Sequence, residues 1–351
     1  MDGIDAAVID TDGHGYVRDV AFATTPYDDD FRAAMRACLN KAERDEICLR
    51  VEQDLTIRHV EAVLKLINQF NLNKQDIDII GFHGQTIHHD PDNGLTVQLG
   101  DGALLAQETG IDVVFDLRSA DMENGGQGAP LLPVYHRALA LQSDVDLPVA
   151  IVNIGGVGNI TWIGTDGEMV AFDTGPGNAM IDDWVKKHMG ESYDANGRLA
   201  AQGVVNEGII DRFLSLPYFS KKYPKSLDRN DFNKLNIKSL SVENGAATLT
   251  EMTVQSVALA VTQCPQKPTA IYVTGGGRHN DFMMKRLYDV SGIAVHSVDE
   301  LGWRGDAMEA EGFAYMAVRR LLNEPVSFPT TTGCSAPTVG GQYVIAKDKA
   351  A

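Results

Sequence analysis

Two stretches of the sequence repeat one another: VIDTDGHGYVRDVAF at residues 8–22 and WIGTDGEMVAFDT at residues 162–174. Each contains an apolar strand, a Thr-Asp-Gly turn and a second strand, and Asp-Gly is a favoured pair in tight turns between antiparallel strands. Superposing Asp12 on Asp166 gives an offset of 166 − 12 = 154 residues. The repeat predicts two related halves, each containing this hairpin.

The second copy carries more chain before its hairpin than the first copy does. The apolar strand VAIVNI (149–154) and the glycine loop GGVGN (155–159) precede the second hairpin. The offset places Met1 against Gly155, so the first copy begins inside the corresponding loop. We therefore expect the first half to lack one strand of roughly six to eight residues, an ordinary strand length.

Apolar runs that end in glycine alternate with helical patterns along the chain. IDIIGFHG begins at residue 77 and AIYVTGGG at residue 270, and helical periodicity covers residues 55–71 and 250–264. Strands that alternate with helices predict an α/β fold. At 351 residues the chain is long enough for two domains.

Composition narrows the functional classes. The formal charge is 30 − 48 = −18, and so acidic a chain is repelled by nucleic-acid phosphates and anionic lipid. The four cysteines lack the spacing of a zinc site, which favours a reduced compartment. No run approaches the roughly 18 apolar residues of a membrane span, and residues 1–13 lack the basic start of a signal peptide. We expect a soluble cytoplasmic protein that binds neither nucleic acid nor membranes.

Two glycine-rich loops are candidates for ligand binding. GGVGNIT (155–161) is either a plain hairpin connection or a loop whose N–H groups surround an anion. It is not a dinucleotide fingerprint, because Thr161 replaces the last glycine and a strand follows, which disfavours an NAD-dependent enzyme. In TGGGRHND (274–281), three glycines precede a predicted helix that Asn280 or Asp281 would cap, which favours a ligand surface over a simple turn.

Polar side chains cluster in FHGQTIHHDP (82–91), just after a predicted strand. Gln85 and Thr86 suit hydrogen bonding to a polyol, although ordinary turn roles compete with this interpretation. The three histidines of this stretch have no carboxylate or cysteine at a recognised metal-ligand spacing, so they are only a weak metal site: His83, His88 and His89.

Arg118 follows another apolar strand, in DLRSADMENGGQGAPLLP (116–133). An arginine at a strand end is commonly a surface ion-pair residue. The long glycine-rich loop that follows, with Gln127 inside it, favours a ligand-binding role here.

Asp173 ends an apolar strand and precedes the turn sequence TGPGN (174–178). It either caps a proline-glycine turn or acts as a general base held rigidly at a strand end. The neighbouring glycine loop favours the catalytic interpretation.

Six blocks, in their order and spacing, resemble the anhydro-N-acetylmuramic acid kinase family: FHGQTIHH, FDLRSADMENGGQGAPL, VNIGGVGNIT, FDTGPGN, YPKSLDRNDF and VTGGGRHN. The resemblance runs from Met1 to about Gly341. It implies two duplicated α/β domains of the actin, hexokinase and Hsp70 type, at residues 1–140 and 141–345, with ATP in the cleft between them. Part of the C-terminal helix would pack on the first domain, and the protein would form a homodimer.

The resemblance also implies a reaction and its residues. In bacterial cell-wall recycling, 1,6-anhydro-N-acetylmuramate, ATP and water would give N-acetylmuramate 6-phosphate and ADP. Asp173 would deprotonate the attacking water, and Arg118 and Glu309 would hydrogen-bond the sugar. Mg²⁺ would bridge the phosphates largely through water, without a metal site on the protein. The residues implied in ATP binding are Asp2, Gly3, Gly155, Gly156, Gly158, Asn159, Gly275, Gly276, Gly277 and Asn280.

The sequence departs from the family pattern at its start. Members carry a strand and a Gly-x-x-Ser-Gly-Thr-Ser loop before the Asp-Gly-Ile-Asp that stands here at residues 2–5. The departure coincides with the gap that the repeat predicts. We favour an upstream start codon over an impaired protein, because the other blocks are present. Two alternatives remain: another sugar or acyl kinase of the same fold, and a nucleotide-binding protein without catalysis.

Overall fold

The computed structural model describes residues 3–227, 232, 237 and 239–346. The chain folds into two compact units: a first unit, Met1–Gln142 with Ala307–Ala351, and a second unit, Ser143–Asp306. The change after Gln142 lies close to the predicted boundary at residue 140. The division places residues 307–345 in the first unit, whereas the sequence prediction assigned that range to the second domain and only part of its helix to the first.

The described residues form strands in both units. In chain order they are β1 (Gly3–Thr11), β2 (Val17–Pro26), β3 (Ile79–Phe82), β4 (Gln85–Asp90), β5 (Leu95–Leu99), β6 (Asp112–Phe115), β7 (Val149–Ile154), β8 (Val157–Ile163), β9 (Met169–Pro176), β10 (Ala270–Thr274), β11 (Ala294–Ser297) and β12 (Gln342–Val344).

The α-helices alternate with these strands. They are α1 (Asp29–Arg36), α2 (Glu46–Gln69), α3 (Gly102–Thr109), α4 (Ser119–Glu123), α5 (Pro133–Gln142), α6 (Ala179–Met189), α7 (Glu207–Leu214), α8 (Pro217–Ser220), α9 (Val242–Gln263), α10 (Asp281–Ser291) and α11 (Met308–Leu321). No helix within the described residues is both long enough and apolar enough to cross a membrane.

The second unit has one continuous mixed sheet in the order β11-β10-β7-β8-β9. Strands β7, β10 and β11 are parallel, and β8 is antiparallel to both of its neighbours. Its side chains fill a core with α9, in which Val152, Trp162 and Phe172 are fully buried. The predicted α/β fold is confirmed.

In the first unit, the strands that correspond to the single sheet of the second unit form separate sheets. Strand β1 pairs with β2, whereas β3 belongs to a separate sheet in the order β12-β6-β3. Within the described part of the first unit, no strand joins β1 to β3. Strand β7 makes that connection in the second unit, where it pairs with both β8 and β10.

Both predicted hairpins are present, as β1–β2 and β8–β9. Each turn contains a glycine in the left-handed region, Gly13 at φ 72° and Gly167 at φ 75°, a conformation that glycine adopts without steric cost. The sequence repeat is therefore a structural repeat.

The observed helices begin at capping residues, and two of them begin earlier than apolar periodicity predicts. Helix α2 starts nine residues before the predicted residue 55, because the Asp45 side chain accepts the N–H of Cys48 and caps it. Helix α9 likewise begins at Val242, after the Ser241 cap, and not at the predicted residue 250. Helix α10 starts where predicted, with the Asn280 side chain accepting the N–H of Met283.

Candidate active site

Asp173 lies in β9, directly across from Asn159 of β8. Its carboxylate oxygen Oδ2 accepts the backbone N–H of Leu227 at 2.8 Å. Its own backbone N–H donates to the carbonyl of Lys225 at 2.9 Å, and its carbonyl accepts the Tyr218 hydroxyl. The half-buried side chain is thus held between a sheet strand and residues 225–227.

The strand places Asp173 because its preceding residues are apolar and deeply buried. Met169, Val170, Ala171 and Phe172 are each at most 5% exposed. The predicted turn at residues 174–177 begins later than expected, since Thr174 to Pro176 continue β9, with a bulge in β9 at Thr174. Asp173 therefore lies within β9, where its carboxylate has a structural contact with Leu227, and its role as a general base stays a prediction.

Lys225 is a buried residue whose backbone carbonyl accepts the N–H of Asp173. Its ammonium lies 4.7 Å from the Tyr218 ring centroid and 5.4 Å from that of Phe172, and donates to Gln263 Oε1 at 3.0 Å. Burial, followed by the charge of Lys221, lowers the pKa of Lys225 to about 8. These contacts hold residues 225–227 against β9 and so help to fix Asp173.

The two predicted nucleotide loops adjoin each other in the second unit. They follow the neighbouring parallel strands β7 and β10. A Cβ placed on Gly275 would lie 2.4 Å from Asn153 Oδ1, and one on Gly276 would lie 3.4 Å from Asn178 Nδ2. The sheet thereby places the loop predicted to bind phosphates, Gly155–Gly156, beside the loop predicted to lie under the adenosine, Gly275–Gly277.

The glycines of these loops fall into two groups. Gly277 is required by packing, because a Cβ there would lie 2.5 Å from Ile154 Cβ. At Gly155 and Gly156 a Cβ would approach no atom closer than 3.7 Å, and neither residue has positive φ. Since the fold does not require glycine at 155 and 156, a closely approaching ligand is the better explanation for these two residues.

The remaining predicted nucleotide residues differ from expectation in detail. Gly158 and Asn159 belong to β8, so the loop consists of Gly155 and Gly156 alone. Gly3 lies in β1, where a Cβ would lie 2.5 Å from the Thr25 carbonyl oxygen, so strand packing requires this glycine. Asn280 is the α10 cap described above, and its side chain is used for that purpose. Asp2 lies outside the described residues.

A buried arginine supports the second glycine loop. Arg278 donates to Asp299 Oδ2 at 2.9 Å and to the Gly275 carbonyl at 3.0 Å, and pairs with Asp306 at 2.8 Å. Its side chain is only 3% exposed. The loop therefore has a rigid base, as a preformed nucleotide surface requires.

Arg118 of the first unit is half-buried and forms hydrogen bonds with neighbouring segments. Its guanidinium donates to the Gly128 carbonyl at 2.6 Å and to His83 Nε2 at 3.2 Å. Burial, followed by the charge of Arg118, lowers the pKa of His83 to about 3. The imidazole is therefore neutral near pH 7, and it can accept the Arg118 hydrogen bond at Nε2.

The other predicted sugar-binding residues have different environments. The Gln85 amide donates to the Thr86 carbonyl at 3.1 Å. The Thr86 hydroxyl oxygen is buried and has no hydrogen-bond partner among the described residues. Glu309 is exposed in the first turn of α11, and the described contacts do not connect it to Arg118.

A cavity of about 110 Å³ lies at the carboxyl ends of β3 and β6. Its lining includes His83, Gln98, Asp116 and Ser119. Asp116 has left-handed backbone, φ 51°, and its carboxylate accepts the Ser119 hydroxyl at 2.6 Å. Left-handed residues other than glycine concentrate at functional sites. Sequence patterns missed Gln98 and Asp116, because only the fold brings them beside His83.

Within the described residues, no group of three or more histidine, cysteine, aspartate or glutamate side chains could hold a metal ion. His83 is engaged by Arg118, and His89 contacts the Thr96 hydroxyl at 3.2 Å. The weak metal hypothesis for the three histidines is therefore not supported by their contacts.

Comparisons with known proteins agree on one family. The family model described as anhydro-N-acetylmuramic acid kinase matches residues 1–346. A protein of that name from Zymomonas mobilis is 48% identical over 352 residues, covering 97% of this chain and 96% of the relative. Another from Rhizorhabdus wittichii is 49% identical over 348 residues, with 97% and 95% covered. Among solved structures, component A of Acidaminococcus fermentans (R)-2-hydroxyglutaryl-CoA dehydratase is similar, with a TM-score of 0.45, 11% identity and coverage of 91% and 99%.

Proposed function

The chain belongs to the anhydro-N-acetylmuramic acid kinase family, and from this premise we propose that it converts 1,6-anhydro-N-acetylmuramate, ATP and water into N-acetylmuramate 6-phosphate and ADP. The reaction is a step of cell-wall recycling. It couples hydrolysis of the anhydro bridge to phosphoryl transfer, so it needs both a base and a nucleotide site.

Asp173 is the proposed base. It takes a proton from water as the water oxygen bonds to the anomeric carbon, and the bond from that carbon to the bridging oxygen breaks. The bridging oxygen, now attached only to C6, receives the γ-phosphoryl group. The observation that carries this assignment is the Leu227 N–H bond to Oδ2 at 2.8 Å, because it holds the carboxylate in one orientation.

The second unit supplies the proposed phosphate site. Gly155 and Gly156 would bind phosphates through their N–H groups, and Gly275 to Gly277 would lie under the adenosine. ATP would bind as its magnesium complex, in which phosphate oxygens and water would hold the ion. The ion would supply the charge neutralisation that phosphoryl transfer needs. Arg118, Gln85, Thr86 and Glu309 are the proposed sugar-binding residues.

Substrate selectivity tests the proposal. We expect ADP to form in equal amount to consumed 1,6-anhydro-N-acetylmuramate, and turnover of glucose and N-acetylglucosamine to be at least 100-fold lower in kcat/KM, a difference that polar recognition can supply. Coupled ADP assays with product mass measure both quantities. Equal or faster turnover of ordinary hexoses would instead assign another sugar kinase activity.

A nucleotide-binding protein without sugar turnover is the second candidate. The observation that favours it is the divided sheet of the first unit, in which no described strand joins β1 to β3. ATP binding by calorimetry, together with no phosphate transfer to any sugar, would support this candidate over the kinase.

Family resemblance also supports a cytoplasmic homodimer. Light scattering during size-exclusion chromatography tests the assembly: a mass near twice the 38.1 kDa of one chain is expected. A mass of one chain at micromolar concentration would refute the dimer.

A further inference from the structure

The β4–β5 hairpin of the first unit has one apolar and one polar face. Ile87, Val97 and Leu99 point into the core. On the pairing register Thr86 lies across from Gln98, and His89 lies across from Thr96. Cross-strand partners project to the same side of a sheet, so these four polar residues share the face opposite the core.

Three oxygens at this face and its neighbouring loop are buried without hydrogen-bond partners among the described residues. They are Thr86 Oγ1, Gln98 Oε1 and Gln127 Oε1. Leaving one buried polar group unsatisfied costs about 1–3 kcal/mol, and the great majority of such groups in native proteins are paired. Three together therefore indicate a site that completes its hydrogen bonds with a ligand.

A chain of contacts joins these residues around Arg118. The Gln98 amide donates to the His83 carbonyl at 3.1 Å, and the His83 ring contacts Arg118 at 3.2 Å. Arg118 also donates to the carbonyl of Gly128, the residue after Gln127. Burial and the charge of Arg118 lower the pKa of His89, whereas a hydrogen bond with the Gln127 backbone raises it. His89 therefore also lies close to Arg118 and Gln127.

The loop that carries Gln127 is rigidly anchored. Asp121 is fully buried, and its carboxylate accepts the Gly128 N–H at 2.7 Å and the Thr332 hydroxyl at 2.6 Å. The Gln127 N–H donates to the Thr332 carbonyl at 2.8 Å. The unpartnered carboxamide oxygen is thus presented from a fixed backbone, which reduces the entropy lost on binding.

We infer that Thr86, Gln98 and Gln127 determine specificity for the sugar by accepting hydrogen bonds from its hydroxyl and acetamido N–H groups. The carboxamide oxygens are acceptors only. They accept hydrogen bonds from N–H and O–H donors and disfavour phosphate oxygens, which distinguishes these acceptors from the nucleotide loops. The inference rests on the proposed function and adds Gln98 and Gln127 to its sugar-binding residues.

Gln127→Met is the principal test, because methionine keeps the length of the side chain and removes its acceptor. We expect the KM for the anhydro sugar to rise about tenfold, the KM for ATP to stay within twofold, and Thr86→Val to act similarly. In the double variant, which combines Gln127→Met with Thr86→Val, the KM for the anhydro sugar should rise about 100-fold.

Gln107→Met is the matched control. This glutamine is exposed in α3 of the same unit, and its amide donates to Glu108, so both KM values should be unchanged. A parallel rise of the ATP KM in Gln127→Met, or an unchanged sugar KM in both Gln127→Met and Thr86→Val, would overturn the inference.

Calorimetry separates this inference from the proposed function. If wild type binds the anhydro sugar without turning it over, the proposed kinase reaction fails, and tenfold weaker sugar binding by Gln127→Met still supports the specificity site. If wild type turns the sugar over and the variant binds it normally, only the specificity site fails.

Discussion

The two units contain the same hairpin, but the sheet around it is completed differently. In the second unit β7 connects β8 to β10, and Ile163 of β8 is fully buried. In the described part of the first unit, β1 and β3 are outer strands of separate sheets, and Ile9, which the repeat aligns with Ile163, is only half-buried. A turn and an apolar pattern are enough to form a hairpin, whereas burial depends on what covers its other edge.

The same comparison separates two acids that the sequence makes equivalent. The offset of 154 aligns Asp173 with Asp19. In the structure Asp19 is exposed and lies across from Ile9, while Asp173 is half-buried across from Asn159. The pairing differs because the Asp-Gly pair opens the first loop, residues 12–16, but stands third and fourth in the second loop, residues 164–168. Of the two aligned acids, the half-buried Asp173 is the one proposed as the base.

The largest effect is expected from the two acids. Asp173→Asn should lower kcat by about 1,000-fold or more while both substrates still bind, because the amide cannot accept the proton of water. Asp19→Asn should stay within twofold of wild type. Steady-state kinetics and calorimetry measure both, and a near-normal kcat for Asp173→Asn would reject this residue as the base.

The next effect concerns burial of the paired isoleucines. Ile163→Ala should lower the free energy of unfolding by about 2–5 kcal/mol, the usual cost of such a cavity, and Ile9→Ala by roughly half as much or less. The three tryptophans, Trp162, Trp184 and Trp303, all lie in the second unit. Urea unfolding followed by tryptophan fluorescence therefore reports on Ile163→Ala, and circular dichroism, which follows the helices and strands of both units, also reports on Ile9→Ala. A larger loss for Ile9→Ala would contradict the comparison of the two sheets.

Acid should destabilise the first unit through its buried histidines. Burial lowers the pKa of His59 and of His136 to about 4, and that of His83 to about 3. The unfolded chain, with a histidine pKa of about 6.5, binds more protons, so stability is full above pH 6.5 and falls as the pH decreases towards 4. At pH 5 each histidine should cost about 2 kcal/mol.

His136→Gln measures one of these contributions. When the pH is lowered from 7 to 5, the Tm of the variant should decrease less than the Tm of wild type. Thermal unfolding followed by circular dichroism measures both values. Equal losses in the two proteins would mean that His136 does not carry the expected penalty.

The smallest effect is expected in amide hydrogen exchange. Amides on the outer edges of β1 and β3 should exchange about tenfold faster than those of β8 and β10, because an unpaired edge opens more readily. Mass spectrometry of peptic peptides measures this difference. Equal protection would show that the edges of β1 and β3 are covered in solution.

Sequence patterns predicted the glycine loops but not the reason for each glycine. Gly277 is required by contact with Ile154, whereas Gly156 has open space beside it, and the letters GGG and GG do not distinguish these cases. The sequence similarly drew attention to Gln85, which bonds to its neighbour Thr86. The more informative Gln98 lies across the hairpin, and only strand pairing reveals it.

The sequence alone determined the repeated hairpin, the α/β class, the strand that carries Asp173 and the family, because turn chemistry, apolar periodicity and motif order are local properties of the chain. The tertiary structure decided which strands share a sheet, which of two aligned acids is half-buried, and which glutamines lie near Arg118. Those properties depend on contacts between residues far apart in the chain, and the free energy of such contacts is set by burial and pairing that local sequence does not encode.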